Sequence, residues 1–170
     1  SIPQVLQPSL VRAVENDALQ IACGYQDRVV QTYEGLVYMD FSNMQVDQGY
    51  SFGTYAHLDA RVLPPIYLAY DLAAAKTSAS VHGPLRTRVE DNTRLLDTMH
   101  RIAALVPRAR SAIEGQDAAA LHQLIDRNFD LRSELYAIQP HHLRMIAAAR
   151  HVGASAKFAG SGLSLIHILR

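Results

Sequence analysis

Two acidic side chains near the N-terminus have the type and surroundings that proton transfer needs. Asp27 follows the glycine-containing segment 23–26 and is followed directly by Arg28. A carboxylate after such a loop can project into a cleft, and an adjacent guanidinium favours its ionised form, which a general base needs to accept a hydroxyl proton. Glu15 lies upstream on the first predicted helix. Two carboxylates can divide the work of phosphoryl transfer, one holding Mg2+ and the other orienting the nucleophile.

The same residues also have structural interpretations, which the sequence alone leaves open. An Asp-Arg pair at the start of a helix commonly caps the helix and forms a surface ion pair. Glu15, taken alone, has the pattern of a solvated side chain. Cys23 is interpreted as a small packed residue at a helix end, because the sequence shows no histidine placed to make it a nucleophile.

The elements that must position these residues are short helices and strands. Apolar spacing after Pro8 predicts a helix that Gly24 ends, and residues 25–34 predict a second helix that Gly35 ends. Residues 36–41 and 66–70 predict strands, and residues 43–53 predict a polar turn region.

From about residue 84 to residue 151 the apolar residues recur at helical spacing. Asp117 is predicted to cap one helix and Pro140 to open another, which Gly153 ends. The apolar segment 156–159 then leads into a Gly-Ser-Gly turn at 160–162. Ala, Ser and Gly accumulate at 72–83, where we place a domain junction. Strands followed by a helical cluster indicate an α+β fold.

Composition narrows the class of partner. Lys plus Arg and Asp plus Glu number 16 each, so the charge balance gives no case for a nucleic-acid or membrane partner. The longest uncharged runs are shorter than the roughly 20 apolar residues of a membrane span. The single cysteine excludes an internal disulfide and fits a reducing compartment, so we expect a cytoplasmic protein.

The order of the motifs resembles that of GHMP-superfamily kinases, in which a Glu-bearing helix, a Gly-x-x-Asp loop and a strand ending in Asp follow one another. The likeness extends from residue 15 to residue 162. It includes the segments 26–29, 33–37, 39–42, 63–65, 81–82, 128–132, 148–154 and 157–162.

This resemblance implies an incomplete GHMP-kinase fold. Residues 1–75 would be the end of an N-terminal S5-like domain that carries the base and the metal ligand. Residues 76–162 would be a truncated, largely helical C-terminal domain with a ferredoxin-like sheet. By the same resemblance Asp27 is the catalytic base, Glu15 binds Mg2+, and ATP is the phosphoryl donor.

Residues Gly160, Ser161 and Gly162 correspond in the family to a glycine-rich turn beside the phosphates and the substrate. Glycines let backbone N–H groups approach an anion closely. A lone Gly-Ser-Gly would otherwise be a linker.

The acceptor is expected to be a sugar or sugar acid, because the likeness is greatest to members that convert D-glucuronate to its 1-phosphate. Arg28 is the first candidate to bind a substrate carboxylate, since members that act on galactose tend to have Gln there; alternatively, Arg28 only tunes Asp27 or braces the loop. His82 and Asn128 are further substrate-binding candidates. A solvated face for His82, and capping or interhelix hydrogen bonds for Asn128 and Arg132, remain open.

Other interpretations of the function and of nearby cationic residues also stay open. His82 is accompanied by Arg86 and Arg88, which could reach the same cleft or lie on a solvated helix. The acceptor could be a neutral sugar, a heptose phosphate or mevalonate. The chain could also be a non-catalytic descendant that only binds a ligand or partner.

Both ends of the chain depart from the family pattern. By the family's order of motifs, the nucleotide phosphate loop is expected upstream of residue 1, so we expect no ATP turnover by the 170-residue chain alone. The sequence also begins without Met, which suggests a missing upstream part. Residues 163–170 resemble the translation of a transposon-derived sequencing adapter, and we expect them to be a non-native tail. The alternative is a genuine short strand.

Overall fold

The computed structural model describes residues 2–70, 92–160 and 165–169. The chain divides into two compact units, Ser1–Arg61 and Val62–Arg170. The junction predicted at 72–83 lies outside the described residues, and the domain division at residue 75 therefore stays a prediction. Residues 66–70, which that division assigned to the first domain, pair with strands of the second unit.

The first unit begins with helical structure that carries Glu15. A 3-10 turn, Gln4–Leu6, leads into helix α1, Gln7–Ala13, which widens into a π-helical turn over Val14–Ala18. The predicted helix therefore ends before Gly24. The last predicted turn is replaced by irregular structure, in which the Ile21 N–H donates to the Glu15 carbonyl at 2.8 Å.

Helix α2 spans Gln26–Tyr33 and confirms the second predicted helix. It ends where Glu34 and Gly35 both have positive φ, 58° and 65°. Tyr25 occupies the position before the helix and makes no side-chain capping bond there. The first turn of α2 thus contains Asp27, whose negative charge is favourable at the positive, N-terminal end of the helix dipole.

A long hairpin completes the first unit, with strand β1 at Leu36–Asp47 and strand β2 at Tyr50–Leu58. The strands are antiparallel, and only Gln48 and Gly49 separate them, with φ of 49° and 82°. The prediction of a polar turn over 43–53 is therefore wrong. An exposed hairpin end needs no apolar residues, and a two-residue turn with positive φ is enough to reverse the chain.

Aromatic side chains join α2 and the preceding loop to the hairpin. The ring of Phe41 lies 5.7 Å from that of Tyr25 and 5.9 Å from that of Tyr55, and Tyr33 packs edge-on against Tyr55 at 5.4 Å. Such pairs contribute about 0.5–1.5 kcal/mol beyond their burial. Val29 of α2 is fully buried.

The second unit contains a three-stranded antiparallel sheet in the order β3-β5-β4. Strand β3 is Ile66–Tyr70, as predicted, β4 is Ser155–Phe158 and β5 is Leu165–Leu169. Residues 165–169, within the segment that was predicted to be a non-native tail, therefore form the middle strand, as the alternative interpretation of a short strand expected. Whether these residues are native remains a prediction.

Four helices accompany this sheet among the residues that the structure describes: α3 Thr93–Ala103, α4 Leu105–Glu114, α5 Ala118–Leu135 and α6 Pro140–His151. Asp117 caps α5 by accepting from the Ala120 N–H at 2.9 Å, as predicted. Pro140 opens α6 and Gly153, with φ of 77°, follows its end. No helix within the described ranges is both long and apolar enough to cross a membrane.

Helix α5 contributes to both apolar clusters of the second unit. Its Phe129 packs with Ile146 and Phe158, between α6 and β4. On its other side, Leu131 belongs to a cluster that includes Leu169 of β5. One helix therefore fixes the position of the strand that precedes the Gly160 turn.

Candidate functional site

Asp27 is the most accessible acidic group of the proposed site. Its side chain is 81% exposed, and its Oδ2 lies 3.3 Å from Nη1 of Arg28. No side-chain cap is formed at the start of α2, so the capping interpretation of the Asp-Arg pair is wrong, whereas the ion pair is present. The exposed carboxylate can meet a hydroxyl group in solution.

Arg28 connects two carboxylates that come from different helical segments. Its side chain is only 14% exposed, and its Nη2 forms an ion pair with Oε2 of Glu15 while Nη1 faces Asp27. The Nε of Arg28 is buried and has no hydrogen-bond partner within the described part of the chain. The guanidinium is therefore held in place by two negative charges.

Glu15 lies on the π-helical turn and is 23% exposed. Hydrogen bonds from the Cys23 thiol and then from Arg28 lower the pKa of Glu15, against the opposing effect of desolvation. Desolvation, together with the bond to Glu15, raises the pKa of Cys23. Cys23 therefore stays a neutral thiol, in agreement with its interpretation as a packed residue and not a nucleophile.

Asn16 was not predicted from the sequence, although its side chain joins helix α1 to the segment that precedes α2. Its amide nitrogen donates to the Arg12 carbonyl at 3.0 Å and its oxygen accepts from the Cys23 N–H at 3.0 Å. The guanidinium of Arg12 stacks over the Tyr25 ring at 4.5 Å. An Asn at the end of a helix is a recognisable signal for such side-chain to backbone bonds.

Glu15 is the carboxylate that the resemblance assigns to a Mg2+ ion. Magnesium is bound by one or two carboxylates together with phosphate oxygens and waters, in near-octahedral geometry. Here a guanidinium lies between Glu15 and Asp27, so the two carboxylates do not fit a shared metal in this arrangement. Within the described ranges no group of three or more acidic, His or Cys side chains converges.

The second unit contains the other predicted site residues. Arg132 donates from Nη2 to the Gly160 carbonyl at 2.6 Å and from Nε to the Tyr136 hydroxyl at 3.3 Å. The Oδ1 of Asn128 is buried without a hydrogen-bond partner among the described residues. Arg132 thus bonds to the end of its own helix and to the segment after β4, which is neither the capping nor the interhelix bonding that one interpretation expected, and the Asn128 oxygen forms no hydrogen bond among the described residues.

Several predicted site residues cannot be placed. His82, Arg86 and Arg88 lie outside the described residues, as do Ser161 and Gly162. The roles proposed for them stay predictions. Asp27 and Gly160 belong to different units, and each is described only within its own.

A charged network around Arg150 was also missed. Its Nε donates to Asp126 at 3.0 Å and its Nη2 to Asp130 at 2.9 Å, which joins α6 to α5. The same Asp126 oxygen accepts from the Ala156 N–H at 3.1 Å. Both Arg150 and Asp130 lie in segments that carry the family resemblance, and the spacing of Asp126 and Asp130, four residues apart on α5, was the available signal.

Comparisons with known proteins agree with this fold. No family model matches the chain. It is 36% identical to "Probable glucuronokinase 2" of Arabidopsis thaliana over 171 residues, which cover 98% of this chain and 46% of that protein. It is 34% identical to "Glucuronokinase 1" of the same organism over 165 residues, with 95% and 45% covered. The chain therefore spans about half the length of these curated relatives.

Among solved structures, a D-glycero-D-manno-heptose 1-phosphate kinase from Bacteriodes thetaiotaomicron superposes with a TM-score of 0.58 at 15% identity. The match covers 95% of this chain and 43% of that one, and it shows the fold alone. The fold is thus the α+β fold of a GHMP-type kinase, as the resemblance implied. Nearly the whole length of this chain is similar to the two glucuronokinases.

Proposed function

We propose that this chain is part of an ATP-dependent kinase that phosphorylates a sugar hydroxyl, with D-glucuronate as acceptor and its 1-phosphate as product. The observation that carries the proposal is the exposed Asp27 carboxylate, held beside Arg28 at the start of α2. The likeness to glucuronokinases supports the sugar acid as substrate. Heptose phosphate, neutral sugars and mevalonate are the alternative acceptors.

Asp27 would orient the anomeric hydroxyl and accept its proton as the oxygen bonds to the γ-phosphorus and ADP leaves. Its position in the first turn of α2 and its ion pair with Arg28 hold this exposed carboxylate where an acceptor can approach it. Because phosphoryl transfer depends on positioning and charge stabilisation, the orientation of the acceptor is the larger part of this role.

Arg28 can serve this reaction in two ways, and its contacts favour one of them. A substrate carboxylate would have to compete with Glu15 and Asp27 for a guanidinium that is 14% exposed. Arg28 is therefore better suited to hold Asp27 in place than to bind the substrate. Recognition of the sugar carboxylate by Arg28 remains the second possibility.

The proposal includes a requirement for Mg2+, which accompanies ATP in phosphoryl transfer and neutralises charge on the transferred group. Glu15 would supply at most one carboxylate to such an ion, and only if Arg28 released it. A cytoplasmic location is likewise part of the proposal, consistent with a single reduced Cys23.

The test is a substrate panel on the complete gene product that contains these residues, with Asp27→Asn and Arg28→Gln as variants. We expect phosphorylation of glucuronate in preference to galactose, and a loss of about 10²–10⁴-fold in kcat for Asp27→Asn. If Arg28 positions Asp27, then Arg28→Gln lowers the rates with glucuronate and with any neutral acceptor equally.

A rate loss for Arg28→Gln that is confined to acidic acceptors would instead assign Arg28 to the substrate carboxylate. Asp17→Asn is the matched control, because Asp17 is an exposed acid on the same helical segment as Glu15. An Asp27→Asn protein with undiminished kcat would contradict the catalytic proposal. Absence of turnover with every acceptor would favour a non-catalytic binding protein.

A further inference from the structure

The segment between the π-helical turn and α2 lies in solvent. Residues 17–22 are all exposed, including Leu19 at 59% and Ile21 at 52%. Burial of apolar side chains therefore does not hold this segment in one conformation. The segment nevertheless sets the direction from which the chain enters α2, whose first turn carries Asp27. Its conformation depends on hydrogen bonds at its ends.

The side-chain amide of Asn16 makes hydrogen bonds that close this segment. Its Oδ1 accepts from the Cys23 N–H at 3.0 Å, and its Nδ2 faces the Cys23 carbonyl at 3.4 Å. The same Nδ2 donates to the Arg12 carbonyl at 3.0 Å. One amide therefore ties the backbone of Cys23, beyond the exposed residues, to the last turn of α1.

The residue before Asn16 holds the same stretch at two other points. The Glu15 carboxylate accepts from the Cys23 thiol and forms the ion pair with Arg28, whose other nitrogen faces Asp27. Glu15 can accept from the thiol and from the guanidinium together only while the backbone of Cys23 stays in place. The bonds of Asn16 therefore support the charged contacts that reach Asp27.

Helix α2 has further attachments that do not involve Asn16. Val29 is fully buried, and the Tyr25 ring lies 5.7 Å from the Phe41 ring of the hairpin. These contacts hold α2 against its neighbours when the amide is removed. We therefore expect loss of the Asn16 amide to release residues 17–24 without unfolding the helix, which makes its effect on the site measurable.

We propose that Asn16 is a positioning residue for the Asp27 carboxylate. It acts through Cys23, whose backbone it fixes shortly before α2 begins. The inference rests on the proposed function, in which Asp27 orients the acceptor hydroxyl. Because phosphoryl transfer depends on the alignment of the acceptor, a displaced carboxylate lowers the rate of the chemical step more than it weakens substrate binding.

The kinetic test compares Asn16→Ala with Gln20→Ala in the complete gene product. Gln20 is the matched control, because its amide also donates to a backbone carbonyl, that of Asp17 at 2.8 Å, but stays within the exposed segment. We expect Asn16→Ala to lower kcat by about 10–10²-fold with little change in KM for the sugar or for ATP. Gln20→Ala should have wild-type kinetics.

The Asp27→Asn background separates positioning from a general effect on the fold. If Asn16 acts through Asp27, then Asn16→Ala lowers kcat no further once Asp27 is replaced. An equal fall in both backgrounds, or a wild-type kcat in Asn16→Ala alone, would overturn this inference and leave the proposed function standing. Absence of turnover by the wild type would overturn both.

A further measurement on the 170-residue chain needs no turnover. Cys23 is the single cysteine, so its rate of reaction with a thiol reagent reports on this segment alone. Because Asn16→Ala loses the bonds to the Cys23 backbone, we expect this rate to rise by about tenfold, and Gln20→Ala to leave it unchanged. Circular dichroism verifies that each variant is folded, and equal rates in all three proteins would contradict the proposal.

The wild-type chain also provides a test that requires no variant. The Cys23 N–H donates to Asn16, so we expect its hydrogen exchange, followed by NMR, to be at least about tenfold slower than in an unstructured peptide. Exchange at the unstructured rate would mean that this bond does not persist in solution, and the positioning role of Asn16 would then be excluded.

Discussion

The guanidinium of Arg28 contacts Glu15 and Asp27, and the consequences differ for the two carboxylates. Asp27 remains exposed and can reach a substrate, whereas Glu15 is largely covered and accepts from both Arg28 and Cys23. The family resemblance assigns Glu15 to Mg2+. Its contacts favour a positioning role, in which Glu15 fixes Arg28 and Arg28 fixes Asp27.

The variant Glu15→Gln distinguishes these roles in the complete gene product. We expect kcat to fall by about tenfold, because a neutral amide holds the Arg28 guanidinium less firmly than a carboxylate does. The Mg2+ concentration for half-maximal rate should not change. Glu34→Gln, at an exposed position after α2, is the control. A raised Mg2+ requirement in Glu15→Gln alone would restore Glu15 as a metal ligand.

Glu15→Gln is also expected to change the stability of the folded protein. Because the folded protein lowers the pKa of Glu15, this group stabilises the fold above its unfolded pKa, and that contribution is lost as pH falls through its folded pKa. Glu15→Gln should therefore be less stable than wild type at pH 7 in thermal unfolding, and the difference should shrink as pH falls from the unfolded pKa of this carboxyl through its lower folded pKa. A stability difference that does not depend on pH would contradict the assigned ionisation.

At the scale of elements, the β1-β2 hairpin depends on a close approach at Gly53. A Cβ built at this position would lie 2.3 Å from the Asp40 carbonyl oxygen and 2.9 Å from Cδ1 of Phe41. The register of the two strands shifts between Asp40 and Gln45, next to this contact. Gly53 therefore permits the irregularity that brings Phe41 to the aromatic side chains beside α2.

Gly53→Ala should destabilise the protein by about 1–3 kcal/mol, because the backbone oxygen cannot move aside without disturbing the strand pairing. Gly24→Ala is the matched control, since a Cβ at Gly24 meets nothing within 4 Å. Denaturant unfolding monitored by tyrosine fluorescence measures both. Equal stability of the two variants would show that the hairpin accommodates the added carbon.

In the whole molecule, the two units differ in the sequence separation between the strands that pair within them. The first is built from neighbouring segments, whereas the sheet of the second joins residues 66–70 to residues 165–169. Leu169 is only 2% exposed in the apolar cluster of that unit. The second unit therefore needs its last segment, whatever the origin of that segment.

Deletion of residues 163–170 tests this dependence. Without β5, strands β3 and β4 lose their shared partner, and we expect amide protection in both strands to fall to that of open loops. Protection in the β1-β2 hairpin should persist, which serves as an internal control. Hydrogen exchange read by mass spectrometry resolves the two regions. Unchanged protection in β4 would mean that the 163–170 segment contributes nothing to the fold.

Local sequence signals predicted several elements correctly. Asp117 and Pro140 marked helix starts, because capping and the fixed φ of proline act within one turn. The adjacency of Asp27 and Arg28 also follows from the chain alone. The order of these motifs indicated the GHMP-type fold and the likeness to glucuronokinases that the comparisons confirm.

Contacts between distant segments were not predictable in the same way. Which carboxylates share Arg28, and which helix residues hold Ala156 and Gly160, depend on how the helices pack and not on local propensity. The π turn at 14–18 and the two-residue hairpin turn likewise differ from the predicted boundaries.

The sequence by itself determined the chemical inventory around Asp27: a carboxylate after a glycine loop, with an arginine beside it. Only the tertiary structure decided that this arginine is shared with Glu15, and that Arg132 of α5 donates to the Gly160 carbonyl. The physical reason is that charge interactions depend on distance in space, which the chain order does not specify until packing brings the segments together.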